Sequence, residues 1–165
     1  MAEPRWLKLA RADLGIREVP GVANNPVLVK RFSSIQKLIG WLFNADSIPW
    51  CGAIMAWWMS QCGIKTPIGP ARALAWATWG VPLKTPVPGA VMVYQREGGG
   101  HVTLYVGESA THYFCLGGNQ DDAITIASFA KTRKPVAIRW PAGEPVVGAP
   151  VQLANVASAR AASEA

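Results

Sequence analysis

The stretch that most constrains this chain is SIPWCGAIMAWWMSQCG, from Ser47 to Gly63, which reads as a helix with a cysteine near its start. Ser47 is a good N-cap, Pro49 suits a first-turn position that needs no backbone N–H, and Gly63 is a natural residue just past the last apolar turn. Cys51 then falls in the first helical turn. There the unpaired N–H groups and the positive end of the helix dipole favour an anion, so the spacing predicts a thiol with its pKa lowered towards thiolate. Only the thiolate is a competent nucleophile.

A free cysteine is more commonly a buried packing residue, and the other two cysteines read that way. Cys62 shares the predicted helix but lies eleven residues on, about 16 Å away at 1.5 Å per residue, too far for a disulfide with Cys51. Cys115, in HYFCLGG, reads as a core strand residue. With no C-x-x-C and no paired spacing, neither a disulfide framework nor a zinc knuckle is expected. Downstream, His101 opens the alternating run HVTLYVGE behind three glycines, and Asn119 follows in LGGNQ. A cysteine at a helix N-terminus, a histidine on a following strand and an amide beyond it is the chain order of papain-like cysteine hydrolases.

The landmarks DSIPWCGA, GGHVTLYVGE, LGGNQDDAI and the closing RWP keep their order from about Trp6 to Pro141. Together they resemble the CHAP-type (cysteine, histidine-dependent amidohydrolase/peptidase) families, and among these a compact phage and prophage family of cell-wall hydrolases. The resemblance implies a papain-like fold with Cys51 as nucleophile, His101 as general base and Asn119 as the residue that orients the imidazole. Many CHAP domains carry a glutamate two residues before that amide, where this chain has Gly117. The resemblance also implies the substrate, amide bonds of bacterial peptidoglycan, cut through a thioacyl intermediate with no metal or organic cofactor, and lysis of a bacterial host as the role.

Four further residues are expected at the substrate cleft. Trp50 adjoins the nucleophile, Gly100 lies in a flexible hairpin tip, and Gln120 follows the amide. Asp46 stands five residues before Cys51, where papain-like enzymes keep an oxyanion-hole amide. A carboxylate is a poor donor to an oxyanion, so a turn or capping role competes for Asp46.

A chain of 165 residues, half of them apolar, can bury one good core and is too short for two ordinary domains. Residues 1–143 are expected to form the hydrolase domain, and the Ala-, Pro- and Val-rich tail 144–165 reads as a linker plus a marginal helix. The start, MAEPRWLKLARADLG, lacks an apolar signal core, and no run of about eighteen uncharged apolar residues occurs. Cytosolic synthesis is therefore expected, with another factor releasing or delivering the protein to the wall, and no stable membrane insertion. The net charge of +6 and pI of about 9.6 suit an acidic polymer. Lys131, Arg133 and Lys134 make the only tight basic group in the sequence, and no nucleic-acid signature accompanies it, so nucleic acid is not expected; the resemblance implies peptidoglycan as the partner, and a monomer is expected.

Helical spacing of Trp6, Leu7, Leu9, Ala10 and Leu14 predicts a first helix from Pro4 to Leu14, stopped by Gly15. Val27 to Leu42 reads as a second helix, and Ala71 to Trp79 as a short one. From Gly89 the periodicity turns to alternation. AVMVY, HVTLYVGE, HYFCLGG, AITIASF and VAIRW give about five strands in a meander or half-barrel. The fold class is α+β, with the cysteine helix packed on an antiparallel sheet that carries His101 and Asn119. Rival functions are an N-acetylmuramoyl-L-alanine amidase, a wall-degrading toxin, an inactive wall-binding or virion structural module, and a metal site of Cys51, His101, His112 and Asp121 or Asp122. The last lacks close ligand spacing.

Overall fold

Helix α1 (Arg5–Ala12) begins behind Pro4 and ends before Gly15, whose φ of 94° takes the chain out of the helix, as the sequence predicts. The computed structural model describes residues 3–19, 25–40 and 50–164. Helix α2 (Pro26–Ser34) is capped by the Asn25 side chain, which accepts from the Val27 N–H, and Pro26 sits at its first position. The expectation of one helix from Val27 to Leu42 is corrected. The chain leaves helical geometry at Ile35 (φ −113°) and resumes as α3 (Gln36–Ile39), after Ser34 has turned its hydroxyl back onto the Arg31 carbonyl at 2.7 Å. Leu42 lies outside the described residues.

Helix α4 (Cys51–Gln61) is apolar on every side and sits at the centre of the molecule, with Ala53, Ile54, Met55, Ala56, Trp58 and Met59 buried. Trp50 occupies its N-cap and Cys51 is its first helical residue. Ser47 and Pro49, expected to open the helix, lie outside the described residues. At the other end Gly63 (φ 69°) is the predicted stop: its N–H reaches Ser60 O and the Ile64 N–H reaches Met59 O, both at 3.0 Å, the paired bonds of a Schellman closure. Beyond it, the helix expected over Ala71 to Trp79 is a 3₁₀ helix, Ala73–Thr78, pinned by Trp76 Nε1 on the Pro70 carbonyl at 2.9 Å.

The sheet contains the five expected strands and one more. β1 (Val81–Pro82), β2 (Val91–Arg96), β3 (Gly99–Glu108), β4 (His112–Gln120), β5 (Ala123–Ala130) and β6 (Ala137–Trp140) lie in the order β1-β6-β2-β3-β4-β5, all neighbours antiparallel. β2 to β5 form the meander, and β6 returns beside β2. The β4–β5 turn has positive φ at both central residues, Asp121 (52°) and Asp122 (55°), the left-handed pair that matches strand twist and that aspartate tolerates.

Two adjacent glycines of β4 mark the two faces of the sheet. A Cβ on Gly118 would lie 2.5 Å from the Trp50 ring and 2.6 Å from Ile54, so Gly118 faces α4. A Cβ on Gly117 would instead meet Thr103 Oγ1 at 2.6 Å, on the opposite face. Trp6, Trp50, Trp58, Trp76 and Trp140 are fully buried. For Trp50 this corrects the expected cleft position: its Nε1 donates to Glu18 at 2.6 Å and its ring lies against β4.

The tail is not a linker. Glu108 N–H donates to Val151 O and the Leu153 N–H returns to Glu108 O, each at 2.8 Å, in a short parallel bridge along β3. Tyr105 Oη donates to Glu108 at 2.7 Å and accepts from the Val151 N–H at 3.1 Å, while Lys131 pairs with the same carboxylate. Helix α5 (Val156–Glu164) then packs on β5 through buried Ala159. Apolar residues Val151 and Leu153 cannot be told from linker residues by composition, because the sheet they dock on is built by distant strands. Among the described residues, no helix is long and apolar enough to cross a membrane.

Candidate active site

Cys51 reaches the sheet from the helix side. Its thiol sits beside the backbone N–H of Val102, the residue after His101, and near the N–H groups that open α4, Gly52 and Cys51. β3 and β4 pair directly at Leu104 and Leu116, and regular pairing is lost toward Val102, which frees that N–H for the sulfur. Gly52 makes this depth possible: a Cβ there would lie 2.5 Å from the carbonyl oxygens of both Pro70 and Ala71.

The expectation of a lowered thiol pKa is overturned. Burial raises the Cys51 pKa, and this outweighs the opposing effects of the Val102 N–H, the Arg96 charge and the N–H groups of Gly52 and Cys51. A helix terminus lowers a thiol pKa only where the thiolate keeps some solvent, and Cys51 is 5% exposed. Cys62 and Cys115 are also free thiols. Both are raised by burial, and Cys115 is fully enclosed in the core as the sequence suggests.

His101 leaves β3 on the other face, with Thr103 and Tyr94. Its ring stacks on Phe129 with centroids 5.9 Å apart, and it is 7% exposed. Burial lowers its pKa; the Gln120 hydrogen bond opposes this, and Arg96 and Arg133 push it lower still. Its Nε2 lies 2.9 Å from Gln120 Oε1. The amide orientation is fixed by its surroundings, because Gln120 Nε2 faces two carbonyls, Thr125 O at 2.8 Å and Cys115 O at 3.2 Å, which can only accept. Oε1, which also accepts from Thr103 Oγ1 at 3.0 Å, must therefore take a proton from the ring. Nε2 carries the hydrogen and Nδ1 is left as the basic nitrogen.

The amide that hydrogen-bonds His101 is thus Gln120, and not Asn119 as expected. Asn119 has φ 57° and forms the bulge at which the β4–β5 register shifts between Gly117 and Gln120. In a regular strand Gly117 and Asn119 share a face and Gln120 takes the other. The extra residue turns Gln120 onto the face of Thr103 and His101. Among the described residues Asn119 makes no side-chain hydrogen bond, and it lines an open cleft with His101, Gln120, Arg96 and Arg133. Gly100 faces the helix side, where a Cβ would lie 2.8 Å from Leu74, so it is a packing position and not a cleft wall. Asp46 lies outside the described residues.

The structure brings thiol and imidazole to neighbouring residues of one strand but from opposite faces. Among the described residues no hydrogen bond joins Cys51 to His101. His112 stands apart, its Nδ1 2.8 Å from Thr111 Oγ1. Among the described residues no three His, Cys, Asp or Glu side chains gather as a metal site would require.

Comparison with protein-family models, with curated proteins and with solved structures finds no match for this chain.

Proposed function

We propose that this protein is a cysteine-dependent hydrolase of amide bonds in bacterial peptidoglycan, with a papain-like CHAP fold and an endolysin-like role. The observation that carries the reading is the setting of Cys51: a thiol at the first residue of a buried helix, near the backbone N–H of Val102, on the strand position next to a histidine whose tautomer is fixed. The substrate comes from the sequence resemblance.

In this mechanism the resting pair is neutral, since burial raises the thiol and lowers the imidazole. His101 Nδ1 takes the Sγ proton as sulfur bonds to the amide carbonyl carbon, and backbone N–H groups at the start of α4 hold the oxyanion. The imidazolium passes its proton to the leaving nitrogen as the C–N bond breaks. Water, deprotonated by His101, then releases the acid and restores the thiol. The reaction requires Nδ1 and Sγ to meet, so α4 and β3 must shift relative to one another when substrate binds.

One observation favours a second reading, a non-catalytic wall-binding module: the two side chains are both buried and unjoined. Purified sacculi separate the two. The hydrolase should release soluble peptide or sugar fragments whose mass names the bond, Cys51→Ala and His101→Ala should release none while staying folded, and Gln120→Ala should slow release at least about tenfold, with Asn119→Ala much milder. Co-sedimentation without release would establish the binding module, and release by Cys51→Ala would rule out the thiol.

A further inference from the structure

Three arginines, two of them near the N-terminus and the third close to the C-terminus, line one cleft of about 430 Å³ where the segment after α1 and helix α5 meet β5. Arg11 belongs to α1, Arg17 to the segment that follows it, and Arg160 to α5, and they enclose Leu14, Gly15, Ile124 and Thr125. Like charges gathered this way repel unless an anion lies between them. Arg11 is paired with Glu3, whose oxygens accept from Nε and Nη2 at 2.7 to 3.1 Å. Arg17 is held in place without a carboxylate: its backbone bridges to Ala123 and its Nη2 donates to the Asp121 carbonyl at 3.2 Å. Arg160 makes no hydrogen bond or ion pair among the described residues. Among the described residues neither Arg17 nor Arg160 is paired with a carboxylate, so these two guanidinium groups leave positive charge at the cleft.

We infer that this cleft binds a phosphate-type oxyanion. A carboxylate is planar and is satisfied by one guanidinium fork in its plane. A phosphate ester presents tetrahedral oxygens in several directions, which suits donors arriving from a helix, a loop and a second helix. The site is separate from Cys51 and His101 and needs no reaction there. Its ligand is a phosphate ester, carried either by a small compound or by a phosphodiester polymer.

The test is calorimetry on the full-length protein at fixed ionic strength, with inorganic phosphate, glycerol 3-phosphate, a glycerol-phosphate polymer and acetate as probes. One saturable site should appear for the phosphates, with acetate at least about fivefold weaker. Arg17→Ala and Arg160→Ala should each weaken phosphate binding at least about fivefold, and Lys84→Ala, a charge-matched change on another surface, should leave it unchanged. Arg160→Ala, on exposed α5, keeps the test valid if Arg17→Ala melts early. Tighter binding per phosphate by the polymer marks a polymer as the source, and equal binding marks a small ester. Absence of saturable binding, equal affinity for acetate, or an equal loss in Lys84→Ala would overturn the inference.

Discussion

The sulfur of Cys51 illustrates how two local rules compete at one atom. The helix start and three N–H groups favour thiolate, while enclosure favours thiol, and enclosure wins. The reactivity order expected from helix position alone is therefore reversed in the resting protein. Cys62, with intermediate exposure, should be alkylated by iodoacetamide first at pH 7, with Cys51 slow and Cys115 slowest. Because the Cys51 pKa is raised, its thiolate fraction grows only as pH climbs beyond the ordinary thiol range, so its labelling rate should keep rising above about pH 9. Mass-spectrometric mapping across pH checks this, and fast labelling of Cys51 at pH 6 would show that the site opens in solution. The sequence makes Cys51 and His101 legible through spacing and neighbours. It does not reveal Gln120 as the partner of His101, because strand alternation assigns it to the wrong face and only the left-handed bulge at Asn119 reverses that. The run Gly-Gly-Asn-Gln-Asp-Asp, rich in residues that tolerate positive φ, is the one sequence sign of an irregular strand end.

At the scale of elements, α4 and the sheet meet through absent side chains. Gly52 admits the Pro70–Ala71 backbone and Gly118 admits Trp50 and Ile54, and both positions bring atoms closer than any Cβ tolerates. Gly118→Ala should cost about 1–3 kcal/mol by overpacking, read as a lower midpoint in urea with an unchanged slope. A loss below about 0.5 kcal/mol would show that the indole yields freely. Strands are readable because short runs rich in β-branched and aromatic residues are bounded by turn formers from Val91 to Trp140. The break at Ile35 is not, since Ser33, Ser34 and Ile35 continue the helical pattern while a hydroxyl takes over a backbone carbonyl. The 3₁₀ helix escaped for a related reason: its geometry is set by Trp76 and Trp79 anchoring on the carbonyls of Pro70 and Lys65, contacts outside its own span.

For the molecule as a whole, the C-terminal segment behaves as part of the core. Val151 and Leu153 extend β3 sideways, Tyr105 and Glu108 receive them, and α5 covers β5. Truncation after Gly143 should therefore lower the melting temperature by several degrees and leave the Glu108 and Lys131 pair exposed to salt. Melting indistinguishable from the full chain would show that the segment contributes nothing to stability. Composition alone could not indicate this, because the tail carries no periodic pattern and its partners are assembled only by the fold. The same holds for Arg11, Arg17 and Arg160, which no window of sequence brings together, whereas Lys131, Arg133 and Lys134 are adjacent and easily noticed.

The glycine at position 118 governs more than packing. Trp50 rests directly on it and precedes Cys51 by one residue, so the height of the indole above the strand sets how far the sulfur reaches into the gap beside Val102. A lineage carrying a larger residue there would retain Cys51, His101 and Gln120 and shift the sulfur from its place beside Val102. Loss of chemistry in descendants of such a protein would then leave its trace at an inert position, and a survey that inspects only thiol, imidazole and amide would count them as intact.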